Sequence, residues 1–194
     1  MEVSFIGLGV MGFPMAGHLI SKNNNLKIKV YNRSKEKSEK WIAKFDGKLT
    51  KSPAEAAEGC DIVFICVGND KDVEQVVRGN DGIMSSIPEK SIIVDHTTAS
   101  AKIARELNNY CIKQKNVNFM DAPVSGGQAG AQNGQLTIMV GGNKETYSKI
   151  KPLLLSYAKN TSLIGHSGAG QLAKMVNQIC IAGLLQGLSE AINF

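Results

Sequence analysis

The feature that most limits the fold is a run of glycines near the start of the chain. The stretch FIGLGVMGFPM begins at Phe5 and places glycines at 7, 9 and 12, between a short apolar run and a helical pattern. In a strand–turn–helix, the first such glycine permits the turn, the second lets a diphosphate approach, and the third lets helix and strand pack closely. The alternative is a tight turn that binds nothing. The residues predicted to contact a dinucleotide are Gly7, Leu8, Gly9, Val10, Met11 and Gly12.

Short apolar runs alternate with longer amphipathic segments. The runs are rich in Val and Ile, as strands buried on both faces are. The predicted strands are Val3–Ile6, Lys27–Tyr31, Ile62–Val67, Ile92–Asp95, Val117–Met120 and Leu136–Val140. The predicted helices are Pro14–Lys22, Lys35–Phe45, Pro53–Glu58, Asp72–Arg78, Ser100–Lys113 and Lys144–Ser156. This alternation predicts an α/β fold with a Rossmann-type, doubly wound, mainly parallel sheet.

The end of the second strand indicates which dinucleotide binds. Chains that bind NAD place Asp or Glu about 20 residues after the glycines, where it holds the ribose hydroxyls. Here the stretch reads KIKVYNRSKEK, with Asn32 at that place and Arg33 next to it. Because arginine binds a 2′-phosphate that a carboxylate would repel, we predict NADP(H), with NAD(H) as the alternative. Arg33 would bind the phosphate with Asn32 and Ser34 beside it; otherwise Arg33 is a solvated surface charge.

Composition excludes several other classes. The net charge of +5 comes without a cluster of cations and aromatics, so we expect no nucleic acid and favour an anionic small molecule. The three histidines lack ligand spacing and no cysteines form a C-x-x-C pair, so we expect no metal. The N-terminus carries no secretory signal, which favours the cytoplasm. The apolar run Leu172–Leu188 is interrupted by polar residues and predicts a buried helix, with no membrane span.

The last stretch forms one long helical pattern that starts near Gly168–Gln171 and continues to the last residue. No C-cap glycine or polar tail ends it. The expected organisation is therefore a dinucleotide-binding domain at residues 1–165 and the start of a long interdomain helix at 166–194. We expect the chain to be the N-terminal part of a larger protein.

Three further stretches carry a family resemblance. They are DHTTAS at 95–100, DAPVSGGQAGAQNGQLTIMVGG at 121–142 and GAGQLAKMVNQ at 168–178. Together with GLGVMGFPM they resemble the β-hydroxyacid dehydrogenase family, and the resemblance covers nearly the whole chain. It implies an all-helical C-terminal domain, largely absent from this chain, that begins with the long helix near Gly170. It also implies that this helical domain closes the substrate pocket and builds a homo-oligomer interface.

The resemblance implies roles for residues of the long helix. Lys174 corresponds to the lysine of the family's K-x-x-N pattern, which acts as the acid/base, and Asn177 would hold the reacting oxygen or the lysine. An isolated lysine in an apolar helix would otherwise be read as one that extends its amine to water.

Other stretches are implied to bind the substrate or the cofactor. Ser125, Gly126 and Gly127 look like a site for the substrate carboxylate, although a plain glycine loop would have the same composition. Val67, Gly68 and Asn69 follow a strand and would pass under the middle of the cofactor. Thr98 would approach the nicotinamide.

The function that these features predict is that of an NAD(P)-dependent oxidoreductase. It would interconvert a small 3-hydroxy acid and its semialdehyde, with a small carboxylate as substrate. The alternatives are a dinucleotide-binding module or fragment without catalysis, and an imine reductase. Imine-reducing relatives usually replace the lysine, so Lys174 favours the hydroxyacid interpretation.

Overall fold

The computed structural model describes residues 1–194, and nine strands form its single sheet. Most strands are short and buried on both faces, as their Val- and Ile-rich sequences predict. The strands are β1 (Glu2–Ile6), β2 (Lys27–Tyr31), β3 (Lys48–Leu49), β4 (Ile62–Ile65), β5 (Ile92–Asp95), β6 (Asn118–Asp121), β7 (Val124–Ser125), β8 (Leu136–Gly141) and β9 (Ala158–Gly165).

The strand order is β3-β2-β1-β4-β5-β6-β8-β7, and β9 pairs with β8. The pairs from β3 to β6 are parallel, whereas β8 runs antiparallel to β6 and β7. The predicted Rossmann-type, mainly parallel sheet is therefore confirmed. Because the chain moves outward from β1 to β3 and then returns to β4 on the other side of β1, the strand order reverses between β1 and β4. Ligands of such sheets bind at the carboxyl ends of the strands at this switch point.

Eight helices lie between strands, and a ninth follows the last strand. Their boundaries follow local signals, such as Pro53 at the first helical position and the Ser100 hydroxyl, which accepts the N–H of Ile103. They are α1 (Gly12–Ser21), α2 (Lys35–Ile42), α3 (Pro53–Ala57), α4 (Asp70–Arg78), α5 (Ile83–Ser86), α6 (Ala101–Lys115), α7 (Gly127–Gln132), α8 (Lys144–Leu154) and α9 (Ala169–Asn193).

Helices on both faces of the sheet create two hydrophobic cores. The alternation of side chains along β1 shows this division, because Val3 and Phe5 belong to a cluster of 25 buried residues and Ile6 belongs to a cluster of 18. In β4, Phe64 joins the first cluster and Ile65 the second. Burial on both faces makes the sheet a rigid support for the loops at its carboxyl edge.

The segment at residues 125–135 has more regular structure than its sequence predicts. Its Gly- and Gln-rich composition, between two predicted strands, predicts a loop, but the segment contains the end of β7 and the short helix α7. Gly126 and Gly127 have φ values of 131° and 61°, which turn the chain sharply out of β7. The Ala- and Gln-rich residues that follow then form the rest of the six-residue helix α7.

The long helix α9 starts at Ala169, one residue before the predicted Gly170, and runs to Asn193. Its first turns pack against β8, β9 and α6, whereas every residue from Gln178 onward is exposed. The predicted boundary at residue 165 lies where β9 ends, and the division into domains stays a prediction. None of the helices, α9 included, combines the length and apolarity needed to span a bilayer.

Candidate functional site

The glycine turn between β1 and α1 is packed tightly at its first and last glycine. Gly7 has φ = 97°, and a Cβ at Gly7 would collide with the carbonyl oxygen of Cys66. A Cβ at Gly12 would collide with the carbonyl oxygen of Gly7. Contacts within the protein therefore explain why neither position accepts a side chain.

Gly9 is different, because the protein itself leaves room for a side chain there. A Cβ at Gly9 would meet no atom within 4 Å, and the φ of Gly9 lies outside the left-handed region. Directly after it, α1 begins without a side-chain cap at Met11 and without an acidic residue in its first turn. Free space beside uncapped, electropositive backbone fits a diphosphate, and the residues of this turn therefore suit a dinucleotide.

A cavity of about 910 Å³ extends from this turn along the ends of β1, β2 and β4. It brings together most of the residues predicted to bind the cofactor. These are Gly7, Gly9, Val10, Met11, Gly12, Asn32, Arg33, Ser34, Val67 and Gly68. Because the cavity lies at the switch point of the sheet, topology and glycine pattern indicate the same place.

Three residues predicted to bind the cofactor do not line this cavity. Leu8 is buried in the first core cluster. The Asn69 side chain caps α4 by accepting the backbone N–H groups of Lys71 and Asp72. Thr98 is exposed beyond the end of β5.

Asn32, at the end of β2, braces the glycine turn. Its Oδ1 accepts the backbone N–H of Leu8 at 2.8 Å, and its Nδ2 donates to the carbonyl oxygen of Ser34 at 3.0 Å. Both ends of the amide are therefore used within the protein. The sequence predicted Asn32 beside Arg33 at the 2′-phosphate but gave no sign of this bracing role.

The charged groups around Arg33 are mixed. The Arg33 side chain is 87% exposed and forms an ion pair with Asp72 at 3.3 Å. Such an exposed pair contributes little, so Arg33 is free to turn toward an anion. Lys37 and Lys51 also line the cavity. Sequence reasoning missed both lysines, since several other lysines surround them and no pattern distinguishes them.

A buried carboxylate holds the start of α9. Asp121 Oδ1 accepts the N–H of Gly168 at 2.7 Å, and its Oδ2 accepts the N–H of Gln171 at 3.0 Å. Gln171 is also buried and bonds back to the loop after β5, through the carbonyl oxygen of Thr97 and the N–H of Ala99. Burial raises the pKa of Asp121, while these N–H donors act to lower it. We call these hydrogen bonds of Asp121 and Gln171 the clamp. The clamp fixes the position of α9 relative to β5 and β6.

The clamp in turn positions Lys174 and Asn177, which lie one turn apart on α9. Lys174 is half-buried, and burial lowers the pKa of its ammonium group. Asn177 lines a second cavity of about 290 Å³ together with Ser125 and Gly126. Neither Lys174 nor Gly127 lines this second cavity. The sequence singled out both helix residues, but it missed Asp121 and Gln171, although Asp121 opens the DAPVSGG stretch.

The turns after β4 and β5 are joined to each other. Thr97 is buried, and its hydroxyl accepts the N–H of Val67 at 3.0 Å. Its own N–H donates to Asp95 Oδ1 at 2.9 Å. Burial raises the pKa of Asp95 to about 7. These bonds hold the loop that lines the first cavity against the loop that meets α9.

A doubly wound parallel sheet with an open glycine turn at its switch point defines a dinucleotide-binding domain. Comparison with known proteins is more specific. The family model for the NAD-binding domain of 6-phosphogluconate dehydrogenase matches residues 2–165, and the chain belongs to this family of oxidoreductases. The predicted kinship with β-hydroxyacid dehydrogenases is confirmed by the relatives.

Two curated relatives match essentially the whole chain. An uncharacterized oxidoreductase of Shewanella frigidimarina is 53% identical over 193 residues, covering 100% of this chain and 65% of that protein. The 2-hydroxy-3-oxopropionate reductase of Escherichia coli is 33% identical over 198 residues, again covering 100% and 65%. The chain thus spans about 65% of the length of these relatives.

A solved structure agrees with this fold. The 3-hydroxyisobutyrate dehydrogenase of Mycobacterium tuberculosis, solved with L-serine, is 27% identical and has a TM-score of 0.90. The match covers 98% of this chain and 63% of that one.

Proposed function

We propose that the protein carrying this chain is an NADP(H)-dependent oxidoreductase that interconverts a small 3-hydroxy acid and its semialdehyde. One observation carries the proposal: Ser125 and Asn177 share a cavity, and Lys174 lies one turn from Asn177 on the clamped helix α9. The relatives support it, since one reduces 2-hydroxy-3-oxopropionate by name. L-serine, present in the M. tuberculosis structure, is itself a 3-hydroxy acid.

The residues of the first cavity suit the parts of a dinucleotide. Gly9 and the start of α1 would hold the diphosphate, and Val67 and Gly68 would lie beneath the middle of the cofactor. Thr98 would approach the nicotinamide from the end of β5. A bound nicotinamide cofactor supplies or accepts the hydride of such a reaction.

The preference for NADP(H) follows from charge at the end of β2. Arg33, Lys37 and Lys51 line this part of the cavity, and Asn32 stands where a chain that binds NAD has an acid. Guanidinium and ammonium groups bind a phosphate strongly. Because both ends of the Asn32 amide already form hydrogen bonds within the protein, we assign the 2′-phosphate to Arg33, Lys37 and Lys51.

Lys174 is the proposed proton donor and acceptor. In the direction of reduction its ammonium donates a proton to the carbonyl oxygen of the substrate, and in oxidation its free amine takes the proton back from the hydroxyl. The pKa of Lys174 is lowered by burial, which brings it closer to the pH at which such transfer is efficient. Asn177 would hold the reacting oxygen or Lys174 in position.

The substrate carboxylate is assigned to Ser125, Gly126 and Gly127. The Ser125 hydroxyl can donate a hydrogen bond, and the two glycines expose backbone at the start of α7. Anchoring the carboxylate fixes which carbon of the substrate lies nearest the cofactor.

The test is turnover by the complete protein. NADPH consumption would be followed with methylmalonate, tartronate and succinate semialdehydes and with glyoxylate. We expect Lys174→Ala to lower kcat by about 100-fold or more, since general acid catalysis is lost, and to leave the dissociation constant of NADPH unchanged. In the active enzyme, kcat for reduction should fall as pH rises through the lowered pKa of Lys174, because reduction needs the protonated amine.

The matched control is Lys149→Ala, which alters an exposed lysine of α8 that lines neither cavity. It should keep both kcat and NADPH affinity. Wild-type kcat in Lys174→Ala would refute the role of this lysine. NADPH binding without turnover of any semialdehyde would favour a binding module.

A further inference from the structure

The second cavity contains a cation that none of the predictions used. Lys159, from β9, lines it together with Ser125, Thr137 and Asn177. No Asp or Glu lines the cavity, and Lys159 belongs to none of the ion pairs of the chain. A small cavity with an unpaired ammonium group and no carboxylate is suited to an anion.

An irregularity in the sheet brings Lys159 to this place. Leu136 of β8 pairs with Ala158 of β9, but the next residue, Thr137, pairs with Asn160. Lys159 is therefore the extra residue of a β-bulge. Bulges redirect a side chain and occur often beside active sites.

Hydrogen-bond donors converge on the same cavity. The Asn177 Nδ2 is shielded from solvent and has no partner, which is costly unless a ligand accepts its hydrogen bond. Ser125 and Thr137 are directly opposite each other in the β7–β8 pair, so their side chains lie on one face of the sheet. Lys159, Ser125 and Thr137 can together donate to the two oxygens of a carboxylate, and Asn177 Nδ2 can donate to another oxygen of the same molecule.

We propose that Lys159 is a specificity-determining residue that binds the substrate carboxylate together with Ser125. The volume of about 290 Å³ suits a small acid of a few carbons. The inference rests on the proposed function in that the acid is taken to be a substrate. The binding of the acid can be measured whether or not the protein converts it. Selection acts by charge, so the acid binds more tightly than its neutral ester.

The experiment compares Lys159→Gln with Lys159→Arg and with the matched control Lys149→Gln. NMR titrations of the complete protein with NADP⁺ would give dissociation constants for 3-hydroxyisobutyrate, its methyl ester and inorganic phosphate. We expect Lys159→Gln to bind the acid about tenfold more weakly, as the loss of one charge-assisted hydrogen bond predicts. Binding of the ester should not change. Lys159→Arg should restore most of the affinity, and Lys149→Gln should match the wild type.

Kinetics give a second measurement, in which Lys159→Gln should raise KM for the acid far more than it lowers kcat. Equal weakening of acid and ester, unchanged acid binding, or a wild type that binds phosphate but not the acid would overturn the inference. Turnover by the wild type with any of these results leaves the proposed function standing. Acid binding that depends on Lys159 in a protein without turnover would refute the proposed function and support the inference.

Discussion

Arg33 stands beyond the end of β2 with its guanidinium group almost free. Its ion pair with Asp72 is solvent-exposed, and such pairs contribute at most about 1 kcal/mol, so an incoming phosphate can displace Asp72 easily. We therefore expect Arg33→Asp to weaken the binding of NADPH roughly 10- to 100-fold, the loss expected for charge-assisted hydrogen bonds to a phosphate. The binding of NADH should change little. KM values for both cofactors would measure this.

The matched control for Arg33 is Lys40→Asp, which introduces the same acid at an exposed position of α2 that does not line the cavity. It should keep the preference for NADPH. An unchanged preference in Arg33→Asp would contradict the assignment of the 2′-phosphate.

His96 illustrates what residue types alone do not reveal. It is buried, its Nδ1 donates to the carbonyl oxygen of Ala122 at 2.7 Å, and its Nε2 accepts the hydroxyl of Tyr157 at 2.9 Å. A carbonyl can only accept, which fixes the tautomer of the neutral ring. The ring also stacks on Phe64. The sequence indicated only that His96 lacked ligand spacing, because its partners are distant along the chain.

Burial of His96 makes stability depend on pH. Its pKa is lowered to about 4, so the folded state resists a proton that the unfolded chain accepts below about 6.5. This contribution is complete above pH 6.5 and is lost as pH falls toward 4. Asp95, with its pKa raised to about 7, acts in the opposite direction, since its burial favours the folded state at low pH.

A variant without the titrating ring isolates the effect of His96. His96→Gln should be less stable than the wild type at pH 7.5, and this difference should shrink by about 2 kcal/mol at pH 5. Urea unfolding at both pH values would measure it. His166→Gln, at an exposed histidine, is the control and should track the wild type. If the difference in unfolding free energy between His96→Gln and the wild type did not change with pH, folding would not lower the pKa of His96.

At the scale of elements, the start of α9 is fixed by a carboxylate that accepts two N–H groups at once. Asp121→Asn can accept only one of them, so we expect a loss of about 2 kcal/mol in unfolding free energy. The amides of Gly168 and Gln171 should exchange hydrogen faster, and kcat should fall because Lys174 is less well positioned. Asp46→Asn, at an exposed acid, is the control. Unchanged exchange at both amides would contradict the clamp.

Prediction of the elements succeeded where local sequence decides structure. The bounds of β2 and β5 were predicted to the residue. β5 (IIVD) is buried along its whole length and reads as an apolar run, whereas β2 (KIKVY) alternates between less buried and buried residues, the pattern of a strand with one covered face. β9 was missed, since its Lys and Asn residues weaken the strand pattern and its pairing with β8 contains bulges. β3 was missed because it has two residues, and its pairing with β2 is a long-range contact.

In the candidate site, too, features set by local sequence were predicted and features set by long-range contacts were not. The glycines and Arg33 lie in a short local pattern, so they could be found by spacing. The bulge at Lys159 and the bonds of Asp121 to α9 join residues far apart in the chain, and no spacing rule predicts them. These contacts between distant residues can be identified only from the folded structure, in which the strands are paired.

At the scale of the whole molecule, the chain presents a nine-stranded sheet and a long helix with exposed apolar side chains. Among these are Ile179, Leu184 and Ile192. That a helical domain and a second copy of the protein cover this helix stays a prediction. The cavity beside Gly9 depends on neither the helical domain nor a second copy, because residues at the ends of β1, β2 and β4 line it.

The binding of a dinucleotide at the glycine turn is tested most directly at Gly9. A Cβ there meets no protein atom, so Gly9→Ala should keep the unfolding free energy within about 0.5 kcal/mol of the wild type, as neutral surface changes do. The control Gly183→Ala also places a methyl group in open space, but on α9 and away from the cavity.

The measurement is the dissociation constant of NADPH, by calorimetry, for the wild type and both variants. We expect Gly9→Ala to weaken NADPH binding by about tenfold or more, since a methyl group forced against a bound diphosphate costs about 1–3 kcal/mol. Gly183→Ala should bind NADPH like the wild type. Wild-type affinity in Gly9→Ala would contradict the claim that the open glycine turn binds a dinucleotide.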